Sequence, residues 1–123
     1  MSNTLHKAGL TMIIKKLSIV LFTLGICMSA QAGEYVLDVR SLPEVNQTGK
    51  IEGALVDDYY SPDFLQKFKS FNIKPDDTVL VYCRSGRRAE AVKSILEKNG
   101  YKNVKNLGGY EDAAKTLNKP LVK

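Results

Sequence analysis

The chain has 123 residues, a length that fits one domain with a substantial core but not two such domains. Its 18 lysine and arginine residues exceed its 13 acidic residues by five, but part of that excess lies in the first 32 residues. With only two cysteines and one histidine in the whole chain, zinc sites, which use several such ligands, are disfavoured.

The first element along the chain has the pattern of a cleaved secretory signal. Residues 12 to 32 run from Lys15 and Lys16 through an apolar stretch to an Ala-Gln-Ala site at positions 30 to 32. A membrane anchor is the alternative, but the apolar stretch is shorter than the roughly 20 residues that span a bilayer. The sequence predicts a signal peptide over residues 1–32, with Met12 as an alternative start, and a mature domain over residues 33–123 that is not attached to a membrane.

Cleavage of this segment would change the composition that matters for function. It removes Lys7, Lys15 and Lys16 and no acidic residue, so 15 basic residues remain against 13 acidic ones. The high isoelectric point therefore gives no reason to expect a nucleic-acid partner. The mature chain would keep no histidine and one cysteine, Cys83, which disfavours cysteine hydrolases that use a histidine base. We expect no metal and no other cofactor.

The mature chain alternates between β-rich and helical patterns. Strands are predicted at residues 34–40, 54–57, 79–82 and 103–107, and helices from Ser61-Pro62-Asp63 to Asn72, from Ala89 to Asn99-Gly100, and over 110–117. Residues 41–53 are predicted to be a polar connection, and Gly108-Gly109 a turn. This alternation predicts an α/β domain with a mostly parallel sheet and helices on both faces.

Cys83 ends the apolar run 79–82, which is typical of a strand buried on both faces. Ligands of such folds bind beyond the carboxyl ends of the strands, although a free cysteine can also be a simple core residue. Five residues, Arg84 to Arg88, separate Cys83 from the predicted helix. Gly86 permits a tight turn, and inward-pointing N–H groups together with the helix N-terminus would favour a thiolate.

The arginines of this loop, Arg84, Arg87 and Arg88, favour the same interpretation. Nearby positive charge makes a thiol nucleophilic near neutral pH without a histidine base. Because helix N-termini disfavour cations, three arginines in this position indicate an anionic ligand, although solvated surface charge is the simpler alternative.

The stretch "VLVYCRSGRR" resembles the active-site loop of the rhodanese sulfurtransferases. Three further stretches are similar to segments of that family: "YVLDVR", "GKIEGAL" and "NVKNLGGYEDA". Together these matches cover nearly all of residues 34–117, and the short exported form is most similar to the periplasmic phage-shock rhodaneses. Departures from the family pattern are Lys50, Glu52 and Ala113, which affect the expected partner surface more than the loop.

The resemblance implies a rhodanese domain in the periplasm and a two-step transfer. Cys83 would take the outer sulfur of thiosulfate, or of a similar small anionic donor, and pass it to a thiophilic acceptor such as cyanide or a thiol. The loop residues, Arg84, Ser85, Gly86, Arg87 and Arg88, would bind the persulfide and the donor, with Arg87 or Arg88 orienting the anion. Asp38 and Arg40 would support the site, or form only a structural ion pair.

Two alternatives remain open at this point. The domain could carry or sense persulfide sulfur for a protein partner without rapid turnover. It could also belong with the cysteine-dependent phosphatases or arsenate reductases, whose loops place an arginine six positions after the cysteine. That position is Ala89 here, so the loop is one residue too short for the phosphate chemistry.

Overall fold

The computed structural model describes residues 32–123, which form an α/β domain around one parallel sheet. The strands are β1 (Glu34–Asp38), β2 (Lys50–Ile51), β3 (Leu55–Val56), β4 (Thr78–Cys83), β5 (Asn103–Gly109) and β6 (Leu121–Val122). The helices are α1 (Leu42–Thr48), α2 (Phe64–Ser70), α3 (Arg87–Lys98) and α4 (Tyr110–Leu117).

The main sheet has the strand order β3-β1-β4-β5, and every pairing in it is parallel. The apolar run of β4 lies at its centre, where five of the six residues are buried. Short β2 and β6 pair antiparallel in a separate two-stranded sheet. The predicted α/β class with a mostly parallel sheet is confirmed.

Helices cover both faces of the sheet because side chains alternate along each strand. On one face, Phe68 of α2 and Val92 and Leu96 of α3 pack in a core cluster that includes Cys83. On the other face, Ala113 of α4 packs in a cluster with Tyr82 and Ile51. Cys83 and Tyr82 therefore point to opposite faces at the end of β4.

Three local predictions were wrong. The expected polar connection contains α1, which begins after Ser41 in a capping-box arrangement with Glu44. Gly108 and Gly109 extend β5 instead of forming a turn, and the pairing with β4 is irregular there. Helix α3 begins at Arg87, two residues before Ala89, because Gly86 adopts a left-handed conformation that turns the chain directly into the helix.

The signal-peptide prediction for residues 1–32 lies outside the described residues, apart from Ala32. Within residues 32–123, no helix combines the length and the apolar character that crossing a bilayer requires. The longest helix among these described residues, α3, has 12 residues.

Candidate active site

Cys83 lies at the carboxyl end of the central strand β4 and is almost covered, with 1% of its surface exposed. Its sulfur accepts a hydrogen bond from the backbone N–H of Gly86 at 3.0 Å. Gly86 makes this contact with φ at +98°, a conformation in which a side chain would be strained. The CRSG sequence thus folds the chain back so that a peptide N–H points at the sulfur.

Strand β5 holds the loop from the other side. Gly109 pairs with Cys83 across the irregular register, and a Cβ atom at Gly109 would lie 2.6 Å from the Arg84 carbonyl oxygen. The side-chain amide of Asn106 donates a hydrogen bond to the Gly86 carbonyl at 2.9 Å, and its oxygen accepts one from Gly108 N–H at 2.8 Å. The loop is therefore packed directly on the backbone of β5, which only glycine at position 109 allows.

Arg88, in the first turn of α3, is anchored by Glu44 of α1. Its two terminal nitrogens donate to the two Glu44 oxygens at 2.9 and 2.8 Å, and its guanidinium lies over the Tyr60 ring at 5.2 Å. The hydrogen bonds from Arg88 lower the pKa of Glu44 to about 2, so this carboxylate stays ionised at neutral and mildly acidic pH. The ion pair fixes the start of α3 and leaves three of the five Arg88 N–H donors without a partner in Glu44.

Glu44 has a second role within its own helix. Its Oε1 atom accepts hydrogen bonds from the backbone N–H of Ser41 at 3.1 Å and from the Ser41 hydroxyl at 2.9 Å. One carboxylate thus caps α1 and anchors Arg88, which lies 44 positions away in the sequence.

Asp38 and Arg40 form a buried ion pair at 2.8 Å, with side-chain exposures of 0% and 1%. Arg40 also donates to the Thr48 hydroxyl at 2.7 Å and to the Gly49 carbonyl at 2.8 Å, and it lies over the Tyr110 ring at 4.5 Å. Burial alone would lower the pKa of Arg40, but the hydrogen bonds and charge of Asp38 outweigh it and raise the pKa. This pair joins the end of β1 to the end of α1 and the start of α4.

The remaining loop residues surround an open cavity of about 360 Å³, which we call the loop cavity. Its lining residues are Tyr60, Arg84, Ser85, Arg87 and Arg88. Within residues 32–123, the guanidinium groups of Arg84 and Arg87 have no hydrogen-bond or ion-pair partner. Three positive charges around one opening, two of them without a partner there, suit a small anion of high charge.

The structure brings the predicted residues together. All of them lie at the carboxyl edge of the sheet: Cys83 and the loop residues 84–88 at the end of β4, and the Asp38–Arg40 pair at the end of β1. Four further residues at this edge were not predicted from the sequence: Glu44, Tyr60, Asn106 and Tyr110. For Glu44 a signal was available, because Ser41 followed three positions later by glutamate is the pattern of a capping box. No local pattern marks Tyr60 or Asn106.

Comparisons with known proteins agree with this geometry. The family profile described as "Rhodanese-like domain" matches residues 28–116. The chain is 35% identical over 83 residues to "Thiosulfate sulfurtransferase PspE" of Escherichia coli (strain K12), across 68% of this chain and 77% of that protein. It is 34% identical over 90 residues to "Thiosulfate sulfurtransferase 18" of Arabidopsis thaliana, across 64% of this chain and 65% of that protein.

A solved structure described as "rhodanese with anions from E. coli" has the same fold. It superposes with a TM-score of 0.61 at 34% identity, and the match covers 74% of this chain and 99% of that one.

Proposed function

Because the chain belongs to the rhodanese-like domain family, we propose that it is a thiosulfate sulfurtransferase that works through a persulfide of Cys83. Two relatives at 35% and 34% identity are named thiosulfate sulfurtransferases. The observation that carries the proposal is the Gly86 N–H held 3.0 Å from the Cys83 sulfur, at the base of a loop with three arginines.

The first step loads sulfur on the enzyme. The Cys83 thiolate attacks the outer sulfur of thiosulfate, the S–S bond of thiosulfate breaks, and its electron pair leaves with sulfite. Neither a proton nor an external oxidant is needed when the attacking group is already a thiolate. This accounts for a site without a histidine base in residues 33–123.

The second step discharges the enzyme. Cyanide or a thiolate attacks the terminal sulfur of the persulfide, and Cys83 leaves as the thiolate that began the cycle. The Gly86 N–H contributes in both steps, since it can donate to the bound sulfur anion and to the departing thiolate.

The three arginines of the loop contribute differently to binding of the thiosulfate dianion. Arg84 and Arg87 attract the dianion into the loop cavity, and Arg88 contributes the N–H donors that Glu44 does not use. Ser85 lines the same cavity with a small hydroxyl group. Asp38 and Arg40 support the site as a buried pair and do not touch the donor.

Intact mass spectrometry and thiocyanate formation test this proposal together. Thiosulfate should add one sulfur atom to the protein, and Cys83→Ser should lose both the mass gain and thiocyanate formation from cyanide. Ser94→Ala is the matched control, since it removes the hydroxyl of an exposed serine of α3 outside the loop cavity and keeps the thiol, and it should retain both signals. Full activity of Cys83→Ser would refute the persulfide. A mass gain without thiocyanate turnover would instead support a persulfide carrier or sensor that acts on a partner protein.

We propose further that the protein is exported to the periplasm after cleavage behind Ala32. The basic residues, the short apolar stretch and the Ala-Gln-Ala site support this location. N-terminal sequencing of the protein from the periplasmic fraction should begin at Gly33. Retention of residues 12–32 in the membrane fraction would contradict it.

A further inference from the structure

The chain between β3 and α2 brings a buried carboxyl group close in sequence to a residue of the candidate active site. We call residues 57–63 the β3–α2 segment. Asp57 at its start is fully buried, whereas Tyr60 is 70% exposed and lines the loop cavity. The centre of the Tyr60 ring lies 5.2 Å from the guanidinium carbon of Arg88. The segment therefore connects the interior of the domain with one wall of the loop cavity.

Backbone and ring contacts join Asp57 to Tyr60. The backbone N–H groups of Asp57 and Tyr59 donate to carbonyl groups at and just after the end of β1, at 2.9 and 3.1 Å. The Tyr59 ring packs against the core cluster, with its centroid 6.3 Å from that of Phe64 and 5.4 Å from that of Tyr60. The Tyr60 N–H donates to the Asp58 side chain at 2.9 Å. Because these contacts follow one another along the segment, an outward movement of Asp57 and Tyr59 would displace the Tyr60 ring.

The environment of the Asp57 carboxyl opposes a negative charge. Neither of its oxygens has a hydrogen-bond partner within the described part of the chain. Lys67 of α2 favours its ionisation, whereas Asp63 and Asp58 oppose it. The Asp38–Arg40 pair at the end of β1 is internally neutral and lies on the opposite face of the sheet. Burial is the largest influence and raises the pKa of Asp57 to about 7.

Ionisation of Asp57 would favour a different conformation of the segment. An unpaired charge is costly in the interior, whereas an outward movement of the segment would let water solvate it. The closed segment keeps the proton, and an open segment, with the carboxyl in water, releases it to solvent near the usual pKa of 3.8. Between these two pKa values, each pH unit raises the ratio of open to closed segment about tenfold.

We propose that Asp57 is a positioning residue for sulfur loading: its neutral form keeps the β3–α2 segment closed with Tyr60 over Arg88, and its ionisation opens the segment and weakens binding of the anionic donor. The inference rests on the proposed function and adds its regulation by pH. Glu44 binds one edge of the Arg88 guanidinium and Tyr60 covers its face, so opening of the segment leaves this group held on one side only.

The first measurement is the second-order rate constant for sulfur loading from thiosulfate, obtained by quenching and intact mass spectrometry between about pH 5 and about pH 8. Asp57→Asn is close in shape to the neutral side chain and cannot ionise. Titration of Cys83 affects both proteins alike and cancels in the ratio of their rate constants. The ratio of wild type to Asp57→Asn should be near one at the acidic end. It should fall on the order of 3- to 10-fold toward the alkaline end, which is the effect of losing a cation–π contact.

Two further variants separate positioning from general stability. Asp76→Asn is the same substitution at an exposed carboxylate just before β4, at the opposite edge of the sheet, and it should keep the wild-type pH profile. Tyr60→Ala removes the ring through which Asp57 acts. In a Tyr60→Ala background, Asp57→Asn should no longer change the pH profile of loading, whereas a merely structural effect of Asp57 would persist there.

Hydrogen–deuterium exchange gives a readout that needs no sulfur transfer. Opening of the segment breaks the hydrogen bonds that the N–H groups of Asp57 and Tyr59 donate. Their protection factors, corrected for intrinsic exchange, should fall on the order of 100-fold between about pH 5 and about pH 8 and stay constant in Asp57→Asn. They should also remain well below those of the central strand β4, because the opening is local.

The outcomes distinguish this inference from the proposed function. A ratio of loading rate constants that does not change with pH, or protection factors in the segment equal to those of β4, would overturn the role of Asp57 and leave sulfur transfer intact. Absence of the mass gain with thiosulfate would instead refute the proposed function, and hydrogen exchange would still report whether Asp57 opens the segment.

Discussion

The carboxyl group of Asp57 should make the stability of this protein fall as the pH rises through neutrality. Asp57 follows β3 and is fully buried, and neither of its carboxylate oxygens has a hydrogen-bond partner in residues 32–123. Its charged neighbours are Lys67 of α2, which favours ionisation, and Asp63 and Asp58, which oppose it. Burial is the largest cause and raises the pKa of Asp57 from 3.8 to about 7.

The sign of the effect follows from proton binding. Between about pH 4 and pH 7 the folded protein keeps a proton on Asp57 that the unfolded chain releases, so stability is lost as the pH rises through this range. At about 1.36 kcal/mol per pKa unit, the full shift corresponds to at most about 4 kcal/mol. Between pH 5 and pH 8 the same linkage gives a loss of about 2.5 kcal/mol.

Asp57→Asn isolates this contribution because asparagine is close in shape and cannot ionise. Its free energy of unfolding, measured by urea denaturation, should gain about 2.5 kcal/mol relative to the wild type between pH 5 and pH 8. A difference of that size corresponds to a Tm change on the order of 10 °C for a domain of this length.

Asp76→Asn is the control, since the Asp76 side chain is 79% exposed and is 3.6 Å from Lys102 in a surface ion pair. The difference in the free energy of unfolding between Asp76→Asn and the wild type should not grow between pH 5 and pH 8. If the difference in the free energy of unfolding between Asp57→Asn and the wild type were also constant with pH, the Asp57 carboxyl would be solvated and the reasoning from burial would be wrong.

Three further predictions concern the loop. Glu44→Gln removes the charge that anchors Arg88 at the start of α3, so the rate of sulfur loading from thiosulfate should fall about tenfold in stopped-flow measurements. Glu52→Gln, at an exposed position, is the control and should leave this rate unchanged. Gly109→Ala would place a Cβ atom 2.6 Å from a loop carbonyl oxygen, so thiocyanate formation should fall while the circular dichroism of the helices is kept. The rate of phosphate release from p-nitrophenyl phosphate should stay below the rate of thiocyanate formation, because buried Ala89 cannot supply the arginine of a phosphatase loop. Phosphate release that is faster than thiocyanate formation and is lost in Cys83→Ser would favour phosphatase chemistry.

The sequence by itself determined the class of fold and the position in the fold of Cys83, the proposed nucleophile. Three elements could be predicted from local patterns: β4 from its apolar run, α3 from its helical spacing and α4 from its residues. Each pattern depends only on which face of that one element is buried. Cys83 could be placed at a strand end because a buried parallel strand leads straight into the loop. The CRSGRR stretch also carried the resemblance to the rhodaneses, since its glycine and arginines act within a few positions of the sulfur.

Only the tertiary structure decided which partner each charged residue of the site has. Arg88 is anchored by a carboxylate 44 positions away, and Gly109 is required because β5 lies against a loop that is distant in the chain. Asp57 looks in sequence like one of two adjacent surface acids, yet it is buried without a partner in residues 32–123 while Asp58 is only half-buried. The physical reason is that hydrophobic periodicity reflects burial of a single element, whereas ion pairs and close backbone contacts depend on how several elements meet.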